Sequence, residues 1–288
     1  MPVAVTVLAI ALFSVMDAMM KRASMAGGVY SALFLRSVIG AAVLGPVWWL
    51  GGGRWPKDSI MRLHALRGFL HAGMAASFFW GVVRTPLAEG IALSFIAPLI
   101  ALYLAAVQLG EKIRREAIIA SVFGLGGVIV IGAARMGNTH AGSDAAWGVA
   151  AILLSALLYA WNLVLQRKQA QLASPLDVAL FQNLFITVFM APLFPLLWHT
   201  PGAGGLADIA GSAVLASSSL MLLAWAYARA EAQVLVPIEY TAFIWSALMG
   251  WLWFAEAVTG STLAGLGLIL VGVWLGTRNS PEPLTPPA

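Results

Sequence analysis

The chain has 288 residues, of which 61% are hydrophobic and 10% charged, with a net charge of +4 and a mean hydropathy of +0.89. Soluble domains carry about 25% charged residues, so this chain has too little polar surface to cover a water-soluble globule. The absence of cysteine excludes disulfides, thiol nucleophiles and thiolate metal sites.

Apolar stretches predict ten spans, at 2–20, 28–50, 64–83, 90–109, 116–134, 146–166, 176–198, 207–228, 233–255 and 259–276. About 20 residues of helix cross a bilayer, and each span must satisfy its own backbone in lipid, so each is a helix. The first apolar run is followed, not preceded, by Lys21 and Arg22. That polarity is wrong for a cleaved signal peptide and marks a first span. Gly51-Gly52-Gly53-Arg54-Trp55-Pro56 separates spans two and three, and Met136 to Ser143 joins the halves. The proline-rich end, 278–288, predicts a disordered or extended tail.

The chain repeats at an offset of 145 residues. Asp17 falls on Asn162, Arg22 on Arg167, Trp80 on Trp225, Arg84 on Arg229, Glu111 on Glu256 and Gly127 on Gly272. Most of these residue types are rare in so apolar a chain, which argues against coincidence. Each copy holds five spans, and an odd number forces the second copy to enter the membrane from the opposite face. The expected fold is therefore all-α integral membrane, with ten transmembrane helices as two inverted five-helix repeats over 1–135 and 144–277. Inverted repeats are a signature of secondary transporters.

Basic residues set the orientation. With the N-terminus inside, the inner segments hold Arg54, Lys57, Arg62, Arg67, Lys112, Arg114, Arg115, Arg167, Lys168, Arg229 and Arg278. The outer loops hold Lys21, Arg22, Arg84 and Arg135. Both termini are expected in the cytoplasm and the protein in the inner (plasma) membrane. Basic residues in short loops between apolar spans are an orientation signal, so nucleic acid is not an expected partner. Small residues at four-residue spacing (Ala120 and Gly124; Gly272 and Gly276; Gly68, Ala72 and Ala76) predict close helix contacts.

Several stretches resemble the EamA family of the drug/metabolite transporter superfamily. They are Leu66-Arg67-Gly68-Phe69, Phe78-Phe79-Trp80, Thr85-Pro86-Leu87-Ala88-Glu89, Ser94-Phe95-Ile96-Ala97-Pro98 and Leu109-Gly110-Glu111, then Glu239-Tyr240-Thr241, Trp245-Ser246-Ala247 and Gly250 through Ala255-Glu256. The resemblance implies a central cavity lined mainly by spans one, three, four, six, eight and nine. It also implies alternating access without a cofactor, and substrates among amino acids, sugars, nucleotide-linked metabolites, vitamins and drugs. The expected partners are a small-molecule substrate and the lipid bilayer, with a homodimer left open.

Ionisable groups inside a membrane are costly and are functional candidates by default. Asp17 and Arg36 enter from the same face and are expected to pair, as a strut between helices or as a gate. Asn162 and Gln182 form the corresponding amide pair in the second copy. His71 is either a proton carrier or a buried, hydrogen-bonded histidine. Glu239 and Tyr240 follow Pro237, and Pro98 interrupts the corresponding span four. Bent helices near the midplane are where transporters bind substrate, so Glu239 is expected to bind or couple, or else to pair with a neighbouring helix. Phe95, Tyr159, Ser218 and Trp245 complete the candidate substrate-binding set, with back-bonding to the helix open for the serine and core packing open for the tryptophan. Glu111 and Glu256 read as turn caps between a helix end and the next helix start. Trp48, Trp49, Trp55, Trp147, Trp198 and Trp274 read as interfacial; Trp161 and Trp225 lie deeper.

The expected function is a secondary transporter of a small organic metabolite (amino-acid-like, vitamin or drug-like). The chain has no Walker A pattern and so no ATPase of its own. The competing reading is a polytopic membrane enzyme acting on a lipid or small metabolite. It needs paired acids or a metal cluster at one face, whereas the intramembrane polar groups here are few and spread over both copies. A channel fits poorly, for want of a repeated charged ring.

Overall fold

Apolar side chains face outward and polar ones inward, the reverse of a soluble protein. Leu8, Val122, Leu125, Ile129, Trp251 and Leu263 are more than half exposed, whereas Thr6, Ser31, Ser37, Ser212 and Ser246 are fully buried. Lipid tails are as apolar as leucine, so an outward leucine costs nothing there. Several buried hydroxyls bond back to their own helices, Ser14 to the Ile10 carbonyl and Ser37 to the Leu33 carbonyl.

The computed structural model describes residues 1–97, 99–101, 103–104, 115–136, 142–170, 172–227, 229 and 238–277. Among these, every regular element is helical. The helices are α1 (Pro2–Gly27), α2 (Val29–Leu50), α3 (Asp58–Val82), α4 (Leu87–Ser94), α5 (Arg115–Met136), α6 (Gly142–Ala170) and α7 (Pro175–Met190). A 3-10 turn (Ala191–Leu193) then leads into α8 (Phe194–Leu197), followed by α9 (Ala203–Tyr227), α10 (Ala242–Phe254) and α11 (Gly260–Thr277). Five segments are long and apolar enough to cross a membrane: Pro2–Gly27, Val29–Leu50, Asp144–Gln166, Pro175–Leu197 and Ala203–Ala226. Shorter apolar helices cover Leu87–Ala101, Val122–Ile131, Ala242–Phe254 and Gly260–Gly272. The 25 residues of α3 reach about 37 Å, but His64, Arg67 and His71 make it more polar. Pro98, Pro237, Glu111 and the tail 278–288 lie outside the described residues.

The first helix runs seven residues beyond its expected end, to Gly27. Lys21 and Arg22 therefore ride on its last turns and not in a loop. Gly28 (φ 82°) turns the chain directly into α2, a left-handed conformation that glycine adopts without steric cost.

Helix packing follows the repeat. The major contacts are α5 with α11, α1 with α9 and α3 with α6, then α2 with α7 and α3 with α7, and, less extensively, α4 with α10 and α9 with α2. Shifting by the offset turns α1–α9 into α6–α3, and α3–α7 into α9–α2, while the other three pairs map onto themselves. The closest crossing is α5 on α11, where a Cβ on Gly127 would sit 2.4 Å from the Gly265 carbonyl oxygen and one on Gly265 would sit 2.7 Å from that of Gly127. Only glycine permits that approach. Gly68 makes room for Phe185 of α7, as its small size suggested, and Gly124 for Leu99. Near the middle of the molecule two helices break at equivalent points. After α4, Phe95 and Ile96 form a turn closed by bonds from their N–H groups to the Ala92 and Leu93 carbonyls. Before α10, Thr241 N–H bonds the Ile238 carbonyl across Glu239 and Tyr240.

Candidate functional site

One end of the molecule is tied by two ion pairs. Lys21, 3% exposed, donates to the Thr85 carbonyl at 2.8 Å and to Glu256 Oε1, and sits 4.9 Å from the Phe254 ring centroid. Glu256 Oε2 accepts the Leu87 N–H at 2.7 Å. Glu256 is thus a helix cap, but of α4 in the other half of the chain and not of the helix that follows it. Its position depends on Ala255, a left-handed residue (φ 52°) that ends α10 so that Glu256 N–H reaches the Gly250 carbonyl. Beside it, Arg22 forks onto Asp208 of α9, its Nε 2.6 Å from Oδ2, and lies over Trp253 at 4.6 Å. These contacts join α1, the α3–α4 turn, α9 and the α10–α11 turn.

The other end centres on Arg67, which is 2% exposed. Its guanidinium donates to Asn162 Oδ1 at 2.9 Å, to Gln169 Oε1, and to Gln182 Oε1 at 3.2 Å. Gln169 in turn contacts His64 Nδ1 at 2.6 Å. No carboxylate pairs with Arg67 among the described residues. Asn162 and Gln182 are brought together through Arg67, across α3, α6 and α7, and not by bonding each other. The sequence reading counted Arg67 with the inner cations and so missed it. The available signal was its position inside the span 64–83, where a charge demands partners.

Between the two ends lies the polar interior. Arg36 is 5% exposed; its Nη1 approaches the Met16 sulfur at 3.5 Å and its Nε has no hydrogen-bond partner. Asp17 and Arg36 lie within electrostatic range of each other but make no direct ion pair, so the expected contact is absent. His71 is within electrostatic range of both Arg36 and Arg67. Its Nε2 is 3.4 Å from Gln182 Nε2, and its Nδ1 has no partner. Asp17, His71 and Tyr159 are each half-buried. Tyr159 is within electrostatic range of Glu239, Tyr240 and Arg67. Phe95 and Tyr240, at the two helix breaks and equivalent under the offset, meet edge to face at 4.9 Å. The Tyr240 hydroxyl is buried without a partner.

Other candidates lie elsewhere. Ser218 lines a recess of about 90 Å³ between α2 and α9, with Gly40, Leu44 and Met221. Trp245 packs with Ala9, Ile10 and Leu223. Trp161 is 46% exposed and faces outward. Trp48, near the end of α2, is buried: its indole N–H donates to Asp177 at 2.6 Å, and Trp55 and Phe181 pack on its ring. Trp225 and Trp80 carry matching partners, Arg229 at 4.3 Å and Arg84 at 3.6 Å. In both, the arginine bonds the carbonyl of the same tryptophan.

The model of the EamA-like transporter family matches this chain twice, over residues 1–133 and 146–278. The chain belongs to this family. It is 26% identical to the pseudopaline exporter CntI of Pseudomonas aeruginosa, over 93% of each chain. It is 29% identical to a probable terminal-alkyne amino-acid exporter of Streptantibioticus cattleyicolor, over 88% of this chain and 84% of that one. A riboflavin transporter of Vibrio cholerae is 26% identical over 73% of this chain and 69% of its own length. One solved crystal structure shares the fold, with a TM-score of 0.63 at 20% identity over 96% of this chain and 99% of that one. The protein is a small-metabolite transporter of the membrane.

Proposed function

We propose that the chain is a secondary transporter that carries a small organic metabolite across the inner membrane by alternating access. Its halves, 1–135 and 144–277, act as inverted five-helix repeats with both termini in the cytoplasm. The observation that carries this reading is the meeting of the two broken helices at Phe95 and Tyr240, beside Glu239 and Tyr159. Broken helices at a repeat interface free backbone groups where a substrate binds. The exchange of packing partners under the offset and the double match of the family model support the repeat. In this reading Phe95, Tyr240, Tyr159 and His71 form the walls of the pathway and Glu239 contacts substrate or exchanges a proton. Lys21–Glu256 and Arg22–Asp208 are the contacts that part when their end opens.

Solute flux into proteoliposomes, measured at several pH values with and without a proton gradient, tests the reading. Glu239→Gln keeps the fold and is expected to lose the pH dependence of transport, or binding of an amine-bearing solute. Wild-type rate, affinity and pH profile in that variant would make Glu239 structural. For orientation, single cysteines at Ser59 and Thr200 are expected to differ toward an impermeant maleimide in intact cells, Thr200 labelled and Ser59 not. The reverse labelling would invert the topology.

A further inference from the structure

We propose that the substrate carries a carboxylate and that Arg36 is the group that docks it. The proposal rests on the transporter reading above for its cavity, and its test reads binding separately from flux. A guanidinium offers five N–H donors. Among the described residues those of Arg36 find one acceptor, the Met16 thioether at 3.5 Å, which is a weak one. Its Nε is buried with no partner, and the side chain is 5% exposed. Arg67 makes the contrast: similarly buried, it spends its donors on three amide oxygens. Asp17 balances some of the Arg36 charge from a distance but accepts none of its hydrogen bonds.

A buried cation with idle donors is costly unless its transport cycle supplies an acceptor. A carboxylate matches the planar fork with two parallel bonds, a geometry that lysine does not reproduce. The groups around Arg36 continue the same pattern. His71 Nδ1 and Tyr240 Oη are also buried without partners, on α3 and on the turn before α10. Arg36, His71, Arg67, Tyr159 and Tyr240 follow one another in electrostatic contact through the interior. Phe79 at 6.0 Å from the Arg36 guanidinium and Phe95 on Tyr240 provide apolar walls. A phosphate, with a charge of about −1.5 to −2, suits this place less well than a carboxylate, because Asp17 already lies within electrostatic range of the Arg36 guanidinium.

The test compares acids with their isosteric amides on the purified full chain, by thermal stabilisation against concentration: phenylacetate with phenylacetamide, and L-phenylalanine with L-phenylalaninamide. Inorganic phosphate is a separate arm. The acids are expected to stabilise the wild type at concentrations about tenfold or more below their amides, the effect of one charge-assisted pair. Arg36→Gln is expected to abolish the preference and Arg36→Lys to weaken it. Where the glutamine variant does not fold, the lysine variant decides. A panel in which no acid is preferred to its amide overturns the proposal, as does a lysine variant with the wild-type preference, or stabilisation by phosphate in place of the acids. Proteoliposome flux of a neutral amide without preference for its acid would leave the transporter reading standing and sink this one.

Discussion

The Lys21 end and the Arg67 end are built from corresponding segments of the two copies, the end of α1 with the start of α9 and the end of α6 with the start of α3. Their chemistry differs. On α1 the acid Asp17 precedes Lys21 and Arg22, whose ion pairs reach Glu256 and Asp208. On α6 the equivalent of Asp17 is Asn162, and the cation has moved to α3 as Arg67, at the position that Ser212 holds on α9. Ser212 spends its hydroxyl on its own helix, bonding the Ile209 carbonyl at 2.7 Å. Lys21 and Arg22 are met by carboxylates, whereas Arg67 is held by neutral amides among the described residues. Removing the cation therefore strands a carboxylate at the Lys21 end and only neutral amides at the Arg67 end.

The largest test of that difference is Lys21→Met. It leaves the Glu256 carboxylate with the Leu87 N–H alone and is expected to cost about 3–5 kcal/mol, read as thermal unfolding in detergent. Adding Glu256→Gln should recover part of the loss. Coupling below about 0.5 kcal/mol in that double-mutant cycle would mean the ion pair does not hold this end.

Arg67→Met is expected to cost less, about 2–3 kcal/mol, because the amides it strands are uncharged. A larger loss than for Lys21→Met in the same assay would invert the comparison. Asp208→Asn keeps the shape of the Arg22 contact and removes its charge. With the Arg22 side chain 52% exposed, solvent screens the pair, and the expected loss is about 1 kcal/mol or less. The smallest effects belong to the peripheral Arg84→Ala and Arg229→Ala, at about 0.5–1 kcal/mol each. The coupling of each arginine to its own tryptophan, read from double-mutant cycles, should be equal within error. Unequal couplings would show that the repeat does not extend to these tryptophan–arginine pairs.

The apolar stretches, the offset of 145 residues and the membrane class were legible because hydropathy and rare-residue coincidences are properties of the linear chain. The same holds for Asp17, Arg36, His71, Asn162, Gln182 and Glu239 as costly intramembrane groups. What each of them touches was not legible. Arg67 read as a loop cation because charge counting ignores depth, yet three helices converge on it. Trp48 could be placed at a span end from the sequence, but not its partner, Asp177 of α7, which accepts its indole N–H. Glu256 read as a cap for its own neighbour, while its carboxylate crosses to α4 and to Lys21, 235 residues away. Partner choice depends on helix crossings, and a crossing is set by small residues such as Gly127 and Gly265 meeting across the fold. Composition and period decided that this chain lies in a membrane, in two related halves. The tertiary structure alone decided which buried charges are satisfied and which, like Arg36, are left with donors to offer.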